Sequence, residues 1–193
     1  MKISIVVDNP RSWFVPFAEK LKENLGQFGT VDLLSDSKNI PHLNDVAFLL
    51  SCEKKVRSEI LQRSRSNIVV HASGLPKGKG MSPLTWQILE GKNRIPITLF
   101  EAVEAIDAGP VYLREYVDFL GNELLHEMQN ALGMKIMEMC EAFLSDWPQI
   151  LSKGIAQTGE PSFYKKRTPD DSRLDPQKSL AEQFNILRVV DND

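Results

Sequence analysis

Residues 46–50, Val-Ala-Phe-Leu-Leu, run without a single polar side chain. A strand of that composition needs cover on both faces, which points to a sheet sandwiched between helices. Residues 2–7 read the same way: Ile3, Ile5, Val6 and Val7 are β-branched, and Asp8-Asn9-Pro10 stops the run. Further strands are expected at 30–34, 46–51 and 67–71. Helices are expected at 12–25 and 53–62. Within the first helix, Phe14, Phe17, Ala18, Leu21 and Leu25 recur at three- and four-residue steps, with Lys20, Lys22 and Glu23 opposite. This β-α-β-β-α-β order predicts a three-layer, mostly parallel, Rossmann-like α/β sheet with helices on both faces.

The remainder of the chain reads as a short helix over 82–90, with Ser82 as N-cap and Pro83 at its first position. Two strands follow at 96–103 and 111–117, separated by the turn Asp107-Ala-Gly-Pro110. A long amphipathic helix spans 122–151, its stripe running from Leu124 and Met128 to Cys140 and Phe143. Composition changes after residue 154. Residues 159–176 are polar and carry several Pro and Asp, as a surface linker does, and helical spacing returns over 179–190 through Leu180, Phe184, Leu187 and Val190. The expected organisation is a catalytic domain over 1–155 and a linker with a helical arm over 156–193.

Lys and Arg total 23 against 26 Asp and Glu, a net charge of −3, whereas binders of nucleic acid usually carry a basic excess. Asp8, Pro10 and Arg11 interrupt what would be the apolar part of a leader, and the longest apolar runs are too short to cross a bilayer. Cys52 and Cys140 stand apart, with no second ligand at metal spacing. The expectation is a cytoplasmic protein that engages neither nucleic acid nor membrane and carries no metal.

The stretch from Asn67 to Trp86 is the richest in chemistry. His71 ends a buried strand, where open α/β sheets place their ligands. The loop that follows holds Gly74, Gly78 and Gly80, along with Lys77 and Lys79. Glycines let backbone N–H groups approach an anion, and the two lysines add formal charge. The spacing is not that of an ATPase phosphate loop, since Gly80 follows Lys79 where Ser or Thr is required. Asp107 lies 36 residues beyond His71. A carboxylate beside an imidazole fixes its tautomer and stabilises its cation, the minimum for acid–base work.

The pattern His71-Ala-Ser-Gly-Leu-Pro-x-x-x-Gly-x-x-Pro-x-x-Trp86 resembles the signature loop of the folate-dependent formyltransferases. Ile106-Asp107-Ala-Gly109-Pro-Val resembles the second motif of that family. Arg167-Thr-Pro-Asp-Asp-Ser172 and Asn185-Ile-Leu-Arg188 look like segments of its sugar-modifying branch. The resemblance implies transfer of a formyl group from 10-formyltetrahydrofolate to an amine, with His71 and Asp107 as catalytic residues. The family's third catalytic residue, an Asn two positions before the His, is replaced by Val69; either a residue such as Asn67 or Ser51 substitutes, or the site runs with two, or the protein is impaired. By the same resemblance, Ser51, Cys52, Glu53, Glu101 and Asp107 would hold the folate. Lys77, Lys79, Gly80, Ser82 and Trp86 would meet the acceptor, with plain helix packing as the alternative for Trp86. The implied acceptor is a nucleotide-linked amino sugar such as those used for surface glycans. Glycinamide ribonucleotide is the runner-up, and a non-catalytic folate or nucleotide-sugar binder is the reading of another class. A homodimer is compatible with this resemblance.

Overall fold

The computed structural model describes residues 1–190. The first half contains β1 (Lys2–Val6), α1 (Val15–Leu25), β2 (Thr30–Leu34), β3 (Asn44–Leu49), α2 (Ser58–Leu61) and β4 (Ser64–His71). The second half adds β5 (Lys79–Gly80), α3 (Pro83–Leu89), β6 (Arg94–Glu101), β7 (Val111–Asp118), α4 (Leu125–Ser145), β8 (Phe163–Tyr164) and α5 (Leu180–Arg188). Six strands form one sheet in the order β2-β1-β3-β4-β6-β7. β1 to β4 pair in parallel, while β6 pairs antiparallel with both β4 and β7. The expected α/β architecture is therefore present, with a hairpin completing the parallel block.

The all-apolar run at 46–50 follows from cover on both faces. Val46, Phe48 and Leu50 enter the core beneath α1 and α4, beside Phe14, Leu21 and Phe143. Ala47 and Leu49 face the other way, against Val6, Ile40 and Ile60 of α2. β1 alternates likewise, Ile3 and Ile5 to the first core and Val6 to the second. No helix among the described residues is long and apolar enough to cross a membrane.

Several boundaries differ from the sequence expectation. The helix expected over 53–62 shrinks to Ser58–Leu61, because the Asp8 carboxylate accepts the Glu53 and Lys54 N–H groups at 2.9 and 2.8 Å and holds residues 51–54 as a loop. The long helix ends at Ser145 rather than 151, two residues before Trp147-Pro148, where proline removes a donor; a 3-10 turn (Gln149–Lys153) follows. Ser82 precedes α3 but with a left-handed φ of 52°, and its side chain makes no capping bond.

The polar stretch expected to run over the surface carries structure of its own. Ile155 bridges to Val111, and β8 adds to β5 as a small parallel ladder. The Tyr164 ring stacks on Trp86 with centroids 6.2 Å apart. α5 is anchored by Arg188, only 1% exposed, whose guanidinium donates to Glu123, Asn93 and Asn185. Residues 191–193 of the expected arm lie outside the described residues.

Candidate active site

β4 carries His71 out of the sheet at its last position, and the loop behind it is braced from below. Thr98 Oγ1 donates to Ser73 O at 2.6 Å, Gln87 Nε2 to Ala72 O at 2.6 Å, and Arg114 Nη2 to Leu75 O at 2.7 Å. The loop then doubles back over the imidazole. His71 Nε2 lies 2.8 Å from Gly78 O. A carbonyl can only accept, so Nε2 carries the proton and the neutral ring keeps its lone pair on Nδ1.

Asp107 arrives from the opposite side, on the loop between β6 and β7. Its Oδ2 accepts the Gly80 N–H at 2.9 Å and lies 3.9 Å from His71 Nε2. Both side chains are shielded, 11% and 15% exposed. Two glycines make the approach possible. Gly80 has φ +96°, and a Cβ there would overlap Tyr164 O. A Cβ on Gly109 would overlap Glu101 O, so the turn behind Asp107 closes only with glycine. Asp107 itself adopts a left-handed φ of 49°, which is uncommon for a residue with a side chain.

The pair sits in a cleft of about 750 Å³ that straddles the carboxyl edge of the sheet. On the α2 side its wall includes Leu49, Ser51 to Val56, Val69, Phe100, Val103, Glu104 and Ile106. On the α4 side it includes Arg11, Trp13, Ser82, Thr85, Gln129 and Arg167. Arg167 donates to Val189 O and Ser172 Oγ, while its Nε is buried without a partner.

Of the residues singled out from sequence, His71, Asp107, Ser51, Cys52, Glu53, Gly80 and Ser82 all line this cleft. Ser51 Oγ lies 2.8 Å from Ser12 Oγ. Burial, with the Asp8 charge, pushes the Cys52 thiol up to about 12, so it stays protonated at neutral pH.

Five expected site residues are placed elsewhere. Asn67 shares a strand face with His71 but lies four residues back, roughly 13 Å along an extended strand; it is buried, and its Nδ2 donates to Leu61 O. Glu101 does not line the cleft: Oε1 accepts the Asn67 N–H at 2.5 Å and Oε2 accepts Tyr112 Oη at 3.1 Å, so the carboxyl at the end of β6 ties β4 to β7. Lys77 is exposed and Lys79 buried, both outside the cleft, because the β5·β8 ladder turns this part of the loop under the arm. Trp86 is occupied by the arm: its Nε1 donates to Lys165 O at 2.9 Å and Lys165 Nζ sits 5.5 Å over its ring. Sequence reading missed Arg11, Trp13 and Gln129 as cleft residues. Nothing local distinguishes them from surface or core positions.

No group of three or more His, Cys, Asp or Glu side chains suited to a metal ion occurs among the described residues.

The sequence profile of the formyl transferase family matches residues 1–139. A methionyl-tRNA formyltransferase of Mycoplasma capricolum is 26% identical over 147 residues, covering 74% of this chain and 46% of that relative. The chain spans about half the length of the curated relatives it matches. Among solved structures, the methionyl-tRNA formyltransferase of Clostridium thermocellum superimposes with a TM-score of 0.80 at 19% identity, covering 100% of this chain and 85% of that one. HypX of Aquifex aeolicus, in complex with tetrahydrofolic acid, gives 0.77 at 17%, over 100% of this chain and 34% of that one. A sugar N-formyltransferase from a Shewanella species gives 0.68 at 17%, over 98% and 87%. These structures share the fold.

Proposed function

Because the chain belongs to the formyl transferase family, we propose that it moves a formyl group from 10-formyltetrahydrofolate to the amine of a nucleotide-linked amino sugar, with His71 and Asp107 as its catalytic residues. The observation that carries this reading is the shielded imidazole–carboxylate pair, 3.9 Å apart, opening on a cleft at the sheet's carboxyl edge.

The chemistry follows from the proton inventory. The acceptor amine attacks the formyl carbon, and the tetrahedral intermediate collapses by breaking the bond to the folate N10. The amine loses one proton and N10 gains one. His71, with Nε2 committed to Gly78 O, takes and returns that proton at Nδ1. The Asp107 carboxylate stabilises the imidazolium formed in between. Val69 lines the cleft where the resemblance places an amide; Asn67 is committed to Leu61 O, which leaves Ser51 on the cleft wall to take over that donor's part at the oxyanion.

The α2 side of the cleft suits a flat heterocycle, with apolar walls from Leu49, Val69 and Phe100 and the backbone of 51–56 at its edge. The folate binds here, against Ser51, Cys52 and Glu53, while Glu101 is turned to Asn67 and Tyr112 and takes no part. The α4 side takes the acceptor. Its cations are Arg11 and Arg167, which replace Lys77 and Lys79 as partners for substrate phosphates. Methionyl-tRNA is the second reading, favoured by the names of the sequence relatives.

The test is incubation with 10-formyltetrahydrofolate and separate panels of nucleotide-linked amino sugars, glycinamide ribonucleotide and methionyl-tRNA, reading the acceptor's mass. Gain of one CO unit on an amino sugar is the expected result. Formylation of the tRNA alone would transfer the assignment to the second reading. No product with any acceptor would leave a folate-fold binder.

A further inference from the structure

The segment after the 3-10 turn lies beyond the family-matched residues and has no apolar contact in the main cores before Val189. Its hydrogen bonds nevertheless converge on the two turns that hold the catalytic pair. Gln157 Nε2 donates to Asp107 O at 3.0 Å and to Gly109 O at 2.9 Å, closing the turn from outside. Ser162 Oγ accepts the Gly78 N–H at 2.9 Å, and Ser162 O accepts the Lys79 N–H at 2.9 Å.

These four bonds act on consecutive links of one ring. Gly78 presents its carbonyl to His71 Nε2, Gly80 presents its N–H to Asp107 Oδ2, and Ser162 holds the peptides between them. Asp107 occupies a left-handed conformation that a non-glycine residue keeps only when its surroundings impose it, and Gln157 is the side chain that grips its carbonyl. We propose that Gln157 and Ser162 are positioning residues, fixing the distance and orientation of His71 relative to Asp107 so that the site is complete only with the post-domain segment in place. The proposal rests on the reading of that pair as catalytic.

The test uses the full chain and two variants. Gln157→Leu keeps the side-chain bulk and removes both donated bonds. Ser162→Ala deletes one oxygen from an exposed residue and leaves the backbone pairing of β5 and β8. Lys166→Ala, an exposed neighbour, is the control. Two readouts are taken: steady-state kcat and KM with 10-formyltetrahydrofolate and the acceptor, and the imidazole ¹⁵N signals of histidine-labelled protein. His71 is assigned by the signal lost in His71→Ala.

Both variants are expected to lower kcat by about 10- to 100-fold, the scale of an ångström-sized misplacement, with KM for the folate within about two-fold. The same variants should replace the single Nε2–H tautomer of His71 by a mixture, and the control should do neither. A parental His71 signature in both variants overturns the proposal, whatever the kinetics. If the unaltered protein formylates nothing, the functional reading fails, yet the ¹⁵N signature still decides whether the arm positions the ring. Should Gln157→Leu fail to fold, Ser162→Ala decides alone.

Discussion

Glu101→Gln should flatten the pH dependence of stability. The Glu101 carboxyl closes β6 under the Asp107 loop, with the Asn67 N–H and Tyr112 Oη as its donors. Burial outweighs those donors and pushes its pKa from the ordinary 4.5 to about 7. Tyr112 is pushed up as well, by burial and by the neighbouring carboxylate. Between pH 4.5 and 7 the folded protein retains a proton that the unfolded chain has released. Unfolding therefore releases a proton in that window, and stability falls as pH rises through it. The stabilisation is fully present below pH 4.5 and is lost above pH 7. A displacement of about 2.5 pH units at 1.36 kcal/mol each makes the loss roughly 3 kcal/mol. A carboxamide at 101 still accepts from Asn67 N and does not ionise. Urea denaturation of parent and variant, compared in steps across the window, should show the parent weakening toward neutral pH and the variant losing most of that slope. Parallel stability curves would refute the reasoning and mean that Glu101 ionises in the ordinary carboxylate range despite its burial.

His71→Ala and Asp107→Asn should each abolish formyl transfer while leaving circular dichroism and the unfolding midpoint near the parent's, because both residues sit at strand and loop ends. Activity near the parental level in either would withdraw the assigned roles. Val69→Asn places an amide against the apolar wall formed with Phe100; it should destabilise by about 1–3 kcal/mol without raising the rate, and a clear rate gain in the formylation assay would mean that the site is an impaired one. Arg188→Met removes a fully buried guanidinium that ties α5 to Glu123 and Asn93. Loss of those hydrogen bonds should cost about 1–3 kcal/mol, read as a lower denaturation midpoint, and an unchanged midpoint would mean that the arm does not share in the stability of the fold.

Apolar patterning carried the architecture. The all-apolar run at 46–50 required two covered faces, and both were found, with α1 and α4 on one side and α2 on the other. The stripe of Phe14, Ala18, Leu21 and Leu25 packs inward as its spacing demanded. Patterning failed where a side chain from the loop after a distant strand captured the backbone. Asp8 holds the Glu53 and Lys54 amides and prevents the helix that their sequence favours, and nothing within 53–62 announces it.

For the site, the division is between what is local and what is not. Residue type, spacing and the resemblance of two motifs together pointed to His71, Asp107 and Gly80, and the structure brings all three to one cleft; each stands at a strand end or a turn whose geometry is encoded within a few residues. The lysines and Trp86 carried the right chemistry in the right loop, yet the β5·β8 ladder and the stacked Tyr164 ring claimed that loop for the arm. Which nitrogen of His71 is free, which wall Asn67 and Glu101 leave, and that Gln157 grips the Asp107 turn are settled only by contacts between residues far apart along the chain. Side chains alone carry no signal of such partners. Hydrophobic periodicity is a property of neighbours in sequence, whereas a hydrogen bond across 50 residues, as from Gln157 to Asp107, exists only once the sheet has brought its two ends together.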